Sequence, residues 1–385
     1  MTIVFFSSVF NHHSMPLCDA LNSLPNVNCY FVSTMEEEEQ RKTLGYHGYN
    51  REYVIEMWAS EENRQKALKL ALEADVMIAG VYPYEFLKKR LKKGKLTFIC
   101  QERLFKFNAT ILQRARVWFY IFRKFTIFKN RPLYLLSIGK GTAKDYKSIG
   151  FYKDKSFNWA YFPPFLPQNI KDLMDKKQSN QVEILFVGRM IALKHPEFSL
   201  KATKLLIEKG YNVHLTYVGT GPLEEELKKE AALLDSAVTF LGAMPPEKVR
   251  EQMEKANIFT FTSNIYEGWG AVVNEAMNAG CALVADSAPG AVQNLIESGY
   301  NGLVYGEENF EEFFEKLESL VKNPHLTRKL GENAYQTIAE SYNATVAAER
   351  FYMQCDALLN KKPLHKFTAG PMKFINNKSS RKGEK

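Results

Sequence analysis

Glu267 and Glu275, with seven residues between them, lie in the run Tyr266-Glu267-Gly268-Trp269-Gly270-Ala271-Val272-Val273-Asn274-Glu275. Gly268 and Gly270 follow the first glutamate, and the second falls on a segment with helical character. A loop that turns into a helix near Gly270 would aim backbone N–H groups at an anion site. A carboxylate early in that helix, Glu275, can accept both hydroxyls of a ribose. Two cations complement the pair. The apolar run Ile184–Val187 ends in Gly188-Arg189, and Lys194 follows five residues on, just before a helix. Ligands of open parallel sheets bind beyond the carboxyl ends of the strands, so Arg189 and Lys194 would face a phosphate-bearing ligand. A second strand, Tyr217-Val218, runs into Gly219-Thr220-Gly221, with Pro222 placed to start a helix. Its glycines admit close approach of a ligand to the backbone. Taken singly, each piece also has an ordinary reading: cations solvated on a loop, a strand-to-helix turn, two solvated glutamates. Their order along one half of the chain is what joins them.

The elements that must position these residues follow from the hydrophobic rhythm. Short apolar runs at Thr2–Phe6, Asn28–Val32, Val76–Gly80, Leu96–Cys100, Leu133–Ser137, Glu183–Val187, His214–Val218, Ile258–Thr262 and Ala282–Ala285 read as buried strands. They alternate with helical spacing in Glu62–Glu73, Phe198–Lys209, Leu223–Leu234, Pro246–Lys255 and Phe310–Val321. This alternation predicts parallel sheets with helices on both faces. Pro163, Pro164 and Pro167 interrupt it, a polar stretch follows, and the rhythm restarts at Glu183. The expected division is 1–165 and 166–345, two α/β domains, then a C-terminal helix 346–360 and a basic tail 361–385 expected to be disordered.

With the segment Ala282–Val292 and Asn301-Gly302-Leu303, the second half resembles the retaining glycosyltransferases of family 4. Their hallmark is Glu-x7-Glu, and their fold is GT-B, two Rossmann-like domains facing across a cleft. Gly188-Arg189 with Lys194, Gly219-Thr220-Gly221 and Phe240-Leu241-Gly242 fall in the family's order. The likeness is strong over 165–345 and rests on architecture before that. It implies that Arg189 and Lys194 contact a nucleotide diphosphate, that Glu267 hydrogen-bonds hydroxyls of the transferred sugar, and that the Gly268, Trp269, Gly270 backbone packs nearby. Glu275 would bind the ribose, and the Phe240–Met244 backbone, with Gly188, Gly219, Gly221, Leu241 and Met244, would complete the donor site. Gly268-Trp269 stands where many relatives have Pro-Phe, a departure that bears on the donor sugar. No Asp-x-Asp occurs, so metal-independent transfer is expected. No cofactor is expected beyond the nucleotide sugar as co-substrate, a UDP-sugar preferred over a GDP-sugar.

Many relatives carry a histidine in the first domain after a strand like Leu96–Cys100. Here the place reads Gln101-Glu102-Arg103, and no histidine occurs between 48 and 194. Glu102, Arg103 and the loop after the first strand, with His12, His13 and Asp19, are the first-domain and acceptor candidates.

The 385 residues carry a net charge of +8, unevenly spread. Residues 83–140 hold +13 and residues 361–385 hold +7, which leaves the remaining chain net negative. A basic segment of this kind implies an anionic partner. Trp118, Ile121, Phe122 and Phe125 recur at helical spacing, with Arg116, Arg123 and Lys124 largely opposite. Lys88, Lys89 and Arg90 add a second basic cluster. The pattern suits a helix at an anionic membrane surface; the alternative is that the aromatics are core. No nucleic-acid motif appears. No apolar run reaches bilayer length, the first residues read as a strand rather than a signal peptide, and five scattered cysteines without a CxxC argue against a disulfide framework or zinc site. The expected protein is a peripheral enzyme on the cytoplasmic face of the cell membrane, passing a sugar to a saccharide or lipid-linked saccharide. The alternatives are a GT-B epimerase or phosphorylase, or a non-catalytic anionic-surface binder.

Overall fold

The computed structural model describes residues 1–36, 51–105 and 110–375, which form two units. The first unit takes residues 51–161 with those before 37, and resumes at Ala344; the second runs from Phe162 to Asn343.

In the first unit the order is β1 (Thr2–Ser7), α1 (Met15–Ser23), β2 (Asn28–Ser33), β3 (Val54–Glu56), α2 (Glu61–Glu73), β4 (Val76–Ala79), α3 (Tyr84–Lys92), β5 (Leu96–Gln101), α4 (Ile111–Phe125), β6 (Leu133–Ile138), α5 (Lys140–Ser148) and β7 (Ser156–Trp159). The second unit continues with α6 (Ile170–Asp175), β8 (Val182–Val187), α7 (Pro196–Glu208), β9 (Val213–Val218), α8 (Glu224–Ala231), β10 (Val238–Phe240), α9 (Pro246–Lys255), β11 (Ile258–Phe261), α10 (Ala271–Asn278), β12 (Ala282–Asp286), α11 (Gly290–Leu295), β13 (Leu303–Tyr305), α12 (Phe310–Lys322) and α13 (Pro324–Glu340). The last helix, α14 (Ala344–Leu359), returns to the first unit.

Each unit is built on one parallel sheet. The orders are β3-β2-β1-β4-β5-β6-β7 and β10-β9-β8-β11-β12-β13. In both, the winding reverses beside the first strand of the unit, between β1 and β4 and between β8 and β11. That reversal opens a crevice at the carboxyl ends of the strands. Central strands such as β4 and β12 are buried throughout, as expected where helices cover both faces. Ile184, Phe186, Leu215, Tyr217 and Val284 anchor the second core; Val4, Phe6, Val32, Met77 and Ile99 anchor the first.

All nine strands expected from the sequence form. The four it missed are β3, β7, β10 and β13, the outer strands of the two sheets. They are three or four residues long, and an outer strand needs no continuous apolar run.

The C-terminal part departs from expectation. Phe351 of α14 lies against the rings of Phe98 and Trp159, so the helix is part of the first core. The tail is ordered through Ile375: Phe374 bridges antiparallel to Phe157, the Asn158 N–H donates to the Lys373 carbonyl at 2.8 Å, and Met372 is fully buried. The run Met372-Lys373-Phe374-Ile375 completes the edge at β7, which its lysine-rich context hid in the sequence. Residues 376–385 lie outside the described residues.

Arg90 is a second correction. Expected on the basic surface, it is fully buried. Phe86, Leu87, Arg90 and Leu91 form the inward stripe of α3. The guanidinium donates to Thr97 Oγ1 and to the carbonyls of Ala71, Ala74, Asp75 and Leu96, so its five donors meet five acceptors. Burial lowers its pKa to about 10. Phe125 is the third: it packs on Tyr84 and the first core instead of facing outward.

Candidate functional site

In the second unit, the loops after β8, β9, β10 and β11 gather at one end of the sheet. The loop after β8 carries Gly188, Arg189 and Lys194; the loop after β11 carries Glu267. Lys194 Nζ donates to Glu267 Oε2 at 2.6 Å, and both side chains are mostly buried. Thr262 Oγ1 donates to the Lys194 carbonyl, and the Asn264 N–H donates to the Leu193 carbonyl. The two loops are therefore fastened together at the point where the winding reverses. Arg189 is exposed and makes no ion pair among the described residues, so its charge is available to a ligand.

Gly219 and Gly221 are required for a different contact than expected. A Cβ on Gly219 would strike the Gly188 carbonyl, and one on Gly221 would strike that of Met190. The Gly-x-Gly turn is thus shaped by close packing of two loops. The Met190 N–H donates to the Thr220 carbonyl at 3.0 Å, and the Gly219 N–H donates to the Gly242 carbonyl at 2.7 Å. This second bond also draws in the loop of Leu241 and Met244, whose side chains are partly buried.

Gly270 adopts φ +87°, where a side chain would strain the backbone and strike the Phe261 ring. It caps α10, and no side chain caps the helix start. Of its first N–H groups, that of Val273 donates to the Gly270 carbonyl at 3.0 Å, and those of Ala271 and Val272 meet no side-chain acceptor among the described residues. Trp269 is buried, and its indole N–H donates to Asn274 Oδ1 at 2.9 Å. It props the loop from within, while the carbonyls of Gly268 and Trp269 accept from the N–H groups of Gly290 and Ala291. Glu275 sits one turn into α10. Its carboxylate finds no hydrogen-bond or ion-pair partner among the described residues, and burial pushes its pKa up to about 7, an effect opposed by Arg250.

The sequence reading missed Asn264 and His195. Asn264 is buried; its side-chain oxygen accepts from the Tyr266 N–H, and its carbonyl accepts from the Glu267 N–H at 3.0 Å. It holds the turn that presents Glu267. His195, directly after Lys194, adopts φ +41°. Its Nδ1 pairs with Glu197 at 2.8 Å, a bond that raises its pKa. The Lys-His-Pro run before α7 was the available signal for this left-handed cap.

In the first unit, His12 and His13 lie in the loop after β1, their rings 3.6 Å apart between centroids. Asn11 Oδ1 accepts from the His13 and Ser14 N–H groups and sets that turn. Glu102, at the end of β5, accepts from the Tyr161 hydroxyl at 3.0 Å, and the Tyr161 ring lies 6.5 Å from that of His13. These groups share the carboxyl end of the first sheet. Two candidates do not join them. Asp19 accepts from Arg51 and, at 2.6 Å, from the Tyr53 hydroxyl. Arg103 pairs with Asp145 at 3.2 Å. Both are engaged in fixing the fold.

Residues 170–337 match the family Glycosyl transferases group 1. The match lies inside the second unit and contains Arg189, Lys194, Glu267 and Glu275. An uncharacterized glycosyltransferase of Methanocaldococcus jannaschii is 28% identical over 292 residues, 71% of each chain. An alpha-1,4-N-acetyl-D-galactosaminyltransferase of Campylobacter jejuni, whose name gives a diNAcBac-PP-undecaprenol-linked GalNAc acceptor, is 29% identical over 155 residues. That match covers 40% of this chain and 42% of the relative, less than half its length. Among solved structures, Anabaena HepE in complex with UDP superposes with a TM-score of 0.66 at 14% identity, over 93% of this chain and 100% of that one. At that identity the likeness establishes the fold, which is GT-B: two parallel-sheet Rossmann-like units. The family match and the named relatives together support a glycosyltransferase.

Proposed function

We propose that the chain is a retaining, metal-independent glycosyltransferase that moves a sugar from a nucleotide sugar, a UDP-sugar in preference to a GDP-sugar, to a saccharide or lipid-linked saccharide at a membrane surface. The observation that carries this reading is the Lys194–Glu267 pair, with Arg189 exposed on the loop that carries Lys194 and Glu275 on α10 without a hydrogen-bond or ion-pair partner among the described residues. Transfer from a nucleotide sugar passes through an oxocarbenium-like state while the leaving diphosphate gains charge. Arg189 and Lys194 stabilise that charge where it develops, with the uncapped start of α10 adding its N–H groups. Glu267 holds hydroxyls of the sugar, and its bond to Lys194 couples sugar position to diphosphate position. Glu275 accepts from the ribose diol. HepE binds UDP and the Campylobacter relative is named for a lipid-linked acceptor, which favours a UDP-sugar and a lipid-linked saccharide here.

A panel of nucleotide sugars tests the donor. UDP-sugars should raise the melting temperature more than GDP-sugars by mass action, chelator should leave transfer unchanged, and the new glycosidic bond should keep the donor's anomeric configuration. Inversion, or loss of transfer with chelator, would refute the reaction as written. An epimerase would convert the donor without acceptor, and a phosphorylase would need inorganic phosphate.

A further inference from the structure

The helix α4 carries apolar side chains that the first unit does not bury. Only Ile121 is buried; Val117 and Phe125 are partly so. Ile111 is 86% exposed, Leu112 75%, Phe119 58%, Phe122 44% and Trp118 42%. At 3.6 residues per turn these five fall on one continuous arc of about 120°. It adjoins the buried face and is not the stripe Trp118–Ile121–Phe122–Phe125 expected from spacing. Arg116 and Arg123 border the arc on its Leu112 side, both exposed. The Tyr84 hydroxyl donates to the Lys124 carbonyl at 2.8 Å, so the start of α3 abuts the end of α4. Exposed Lys88 and Lys92 follow Tyr84 on the same face of α3, one and two turns on.

We infer that α4 lies flat in an anionic membrane surface, with Ile111, Leu112, Trp118, Phe119 and Phe122 inserted among the acyl chains and Arg116 and Arg123 at the lipid phosphates. This deepens the membrane reading above and rests on it. An apolar arc with aromatic residues, edged by cations, fits a bilayer boundary. The cationic border matches anionic headgroups in sign. Fifteen residues of helix span about 22 Å, short of the roughly 30 Å needed to cross, and no described helix is long and apolar enough to do so. The assignment removes Arg90 and Phe125 from the contact, because both are held in the first unit.

The test uses the full chain with Trp58 replaced by Phe, since Trp159 and Trp269 are buried and Trp118 then reports alone on exposed indole. Vesicles of phosphatidylcholine with phosphatidylglycerol should co-sediment the protein at low salt, and lipids brominated on the acyl chain should quench Trp118. Pure phosphatidylcholine should bind at least about tenfold more weakly. The double variant Leu112→Glu/Phe119→Glu should lose the quenching and bind at least about tenfold more weakly, while UDP release from a soluble donor stays at the wild-type rate. Arg116→Glu/Arg123→Glu keeps the apolar arc and should lose the preference for anionic lipid. Equal vesicle binding by wild type and both variants overturns the inference, as does no binding at low salt. A dimer that dissociates in the Leu112→Glu/Phe119→Glu variant would assign the arc to a second copy and overturn it too. The rate of UDP release separates these outcomes from failure of the transferase reading.

Discussion

Glu267→Ala removes sugar transfer while the second unit stays folded. Among the described residues Glu267 is the one carboxylate fastened to Lys194, at 2.6 Å, and its backbone is held by Asn264. Truncation frees Lys194 from the geometry that places it and takes away the acceptor for the sugar hydroxyls. Loss of a positioned electrostatic contact costs roughly 10²–10³ in rate. Loss of sugar orientation multiplies this, so the expected fall in kcat is at least about 10³-fold. Stability changes little. The pair is partly exposed, with 14% and 20% of its side-chain surface accessible, and removing one partner should cost about 1–2 kcal/mol. Product formation beside a thermal melt measures both. Full activity in the variant would remove Glu267 from the site. Glu267→Gln keeps the shape and drops the charge; partial activity there would show that hydroxyl acceptance outweighs charge.

Glu275→Gln should move stability and donor binding in opposite directions. The free carboxyl titrates near 4.5, whereas in the folded chain desolvation raises the pKa to about 7. Between these values the folded state binds more protons than the unfolded state, so stability falls as pH rises through that window. Above pH 7 the ionised carboxylate costs about 3 kcal/mol, and the amide removes this cost. At pH 8 the unliganded variant should therefore melt several degrees above wild type, and at pH 4 the two should coincide. Donor binding weakens in the same variant, because charged acceptance from two ribose hydroxyls becomes a neutral contact. A loss of about 10–100-fold follows from roughly 1.5–3 kcal/mol for hydrogen bonds to a charged group. A residue that served only the fold would not gain stability while losing ligand. A variant melting no higher at pH 8 and binding UDP as wild type does would refute the assignment.

The interior of both sheets was legible because buried parallel strands are written as unbroken apolar runs. The outer strands were not, since a run of three or four residues resembles any loop. A strand end, a glycine and a charged residue recurring together singled out Lys194 and Glu267, the two side chains of that reading that the structure joins. The spacing alone did not show the Lys194–Glu267 bond, which depends on β8 and β11 being neighbours across the reversal of winding. Nor could it assign Gly219 and Gly221 to loop packing, since glycine serves a ligand and a neighbouring backbone alike. Arg90 illustrates the other limit. A cation among lysines reads as surface until five carbonyl and hydroxyl acceptors close around it. Asp19 and Arg103 looked available for the same reason, and their partners Arg51, Tyr53 and Asp145 are distant in sequence.

Calorimetric titration of UDP into the wild type and into Arg189→Ala tests most directly whether the second unit holds a nucleotide diphosphate at the carboxyl ends of β8 and β11. Arg189 is exposed and has no ion pair among the described residues, so its removal should leave the melting temperature unchanged. A single UDP site is expected in the wild type, weakened at least about tenfold in the variant by loss of a charge-assisted contact. Equal affinity in the two proteins, or no UDP binding by the wild type, would contradict it.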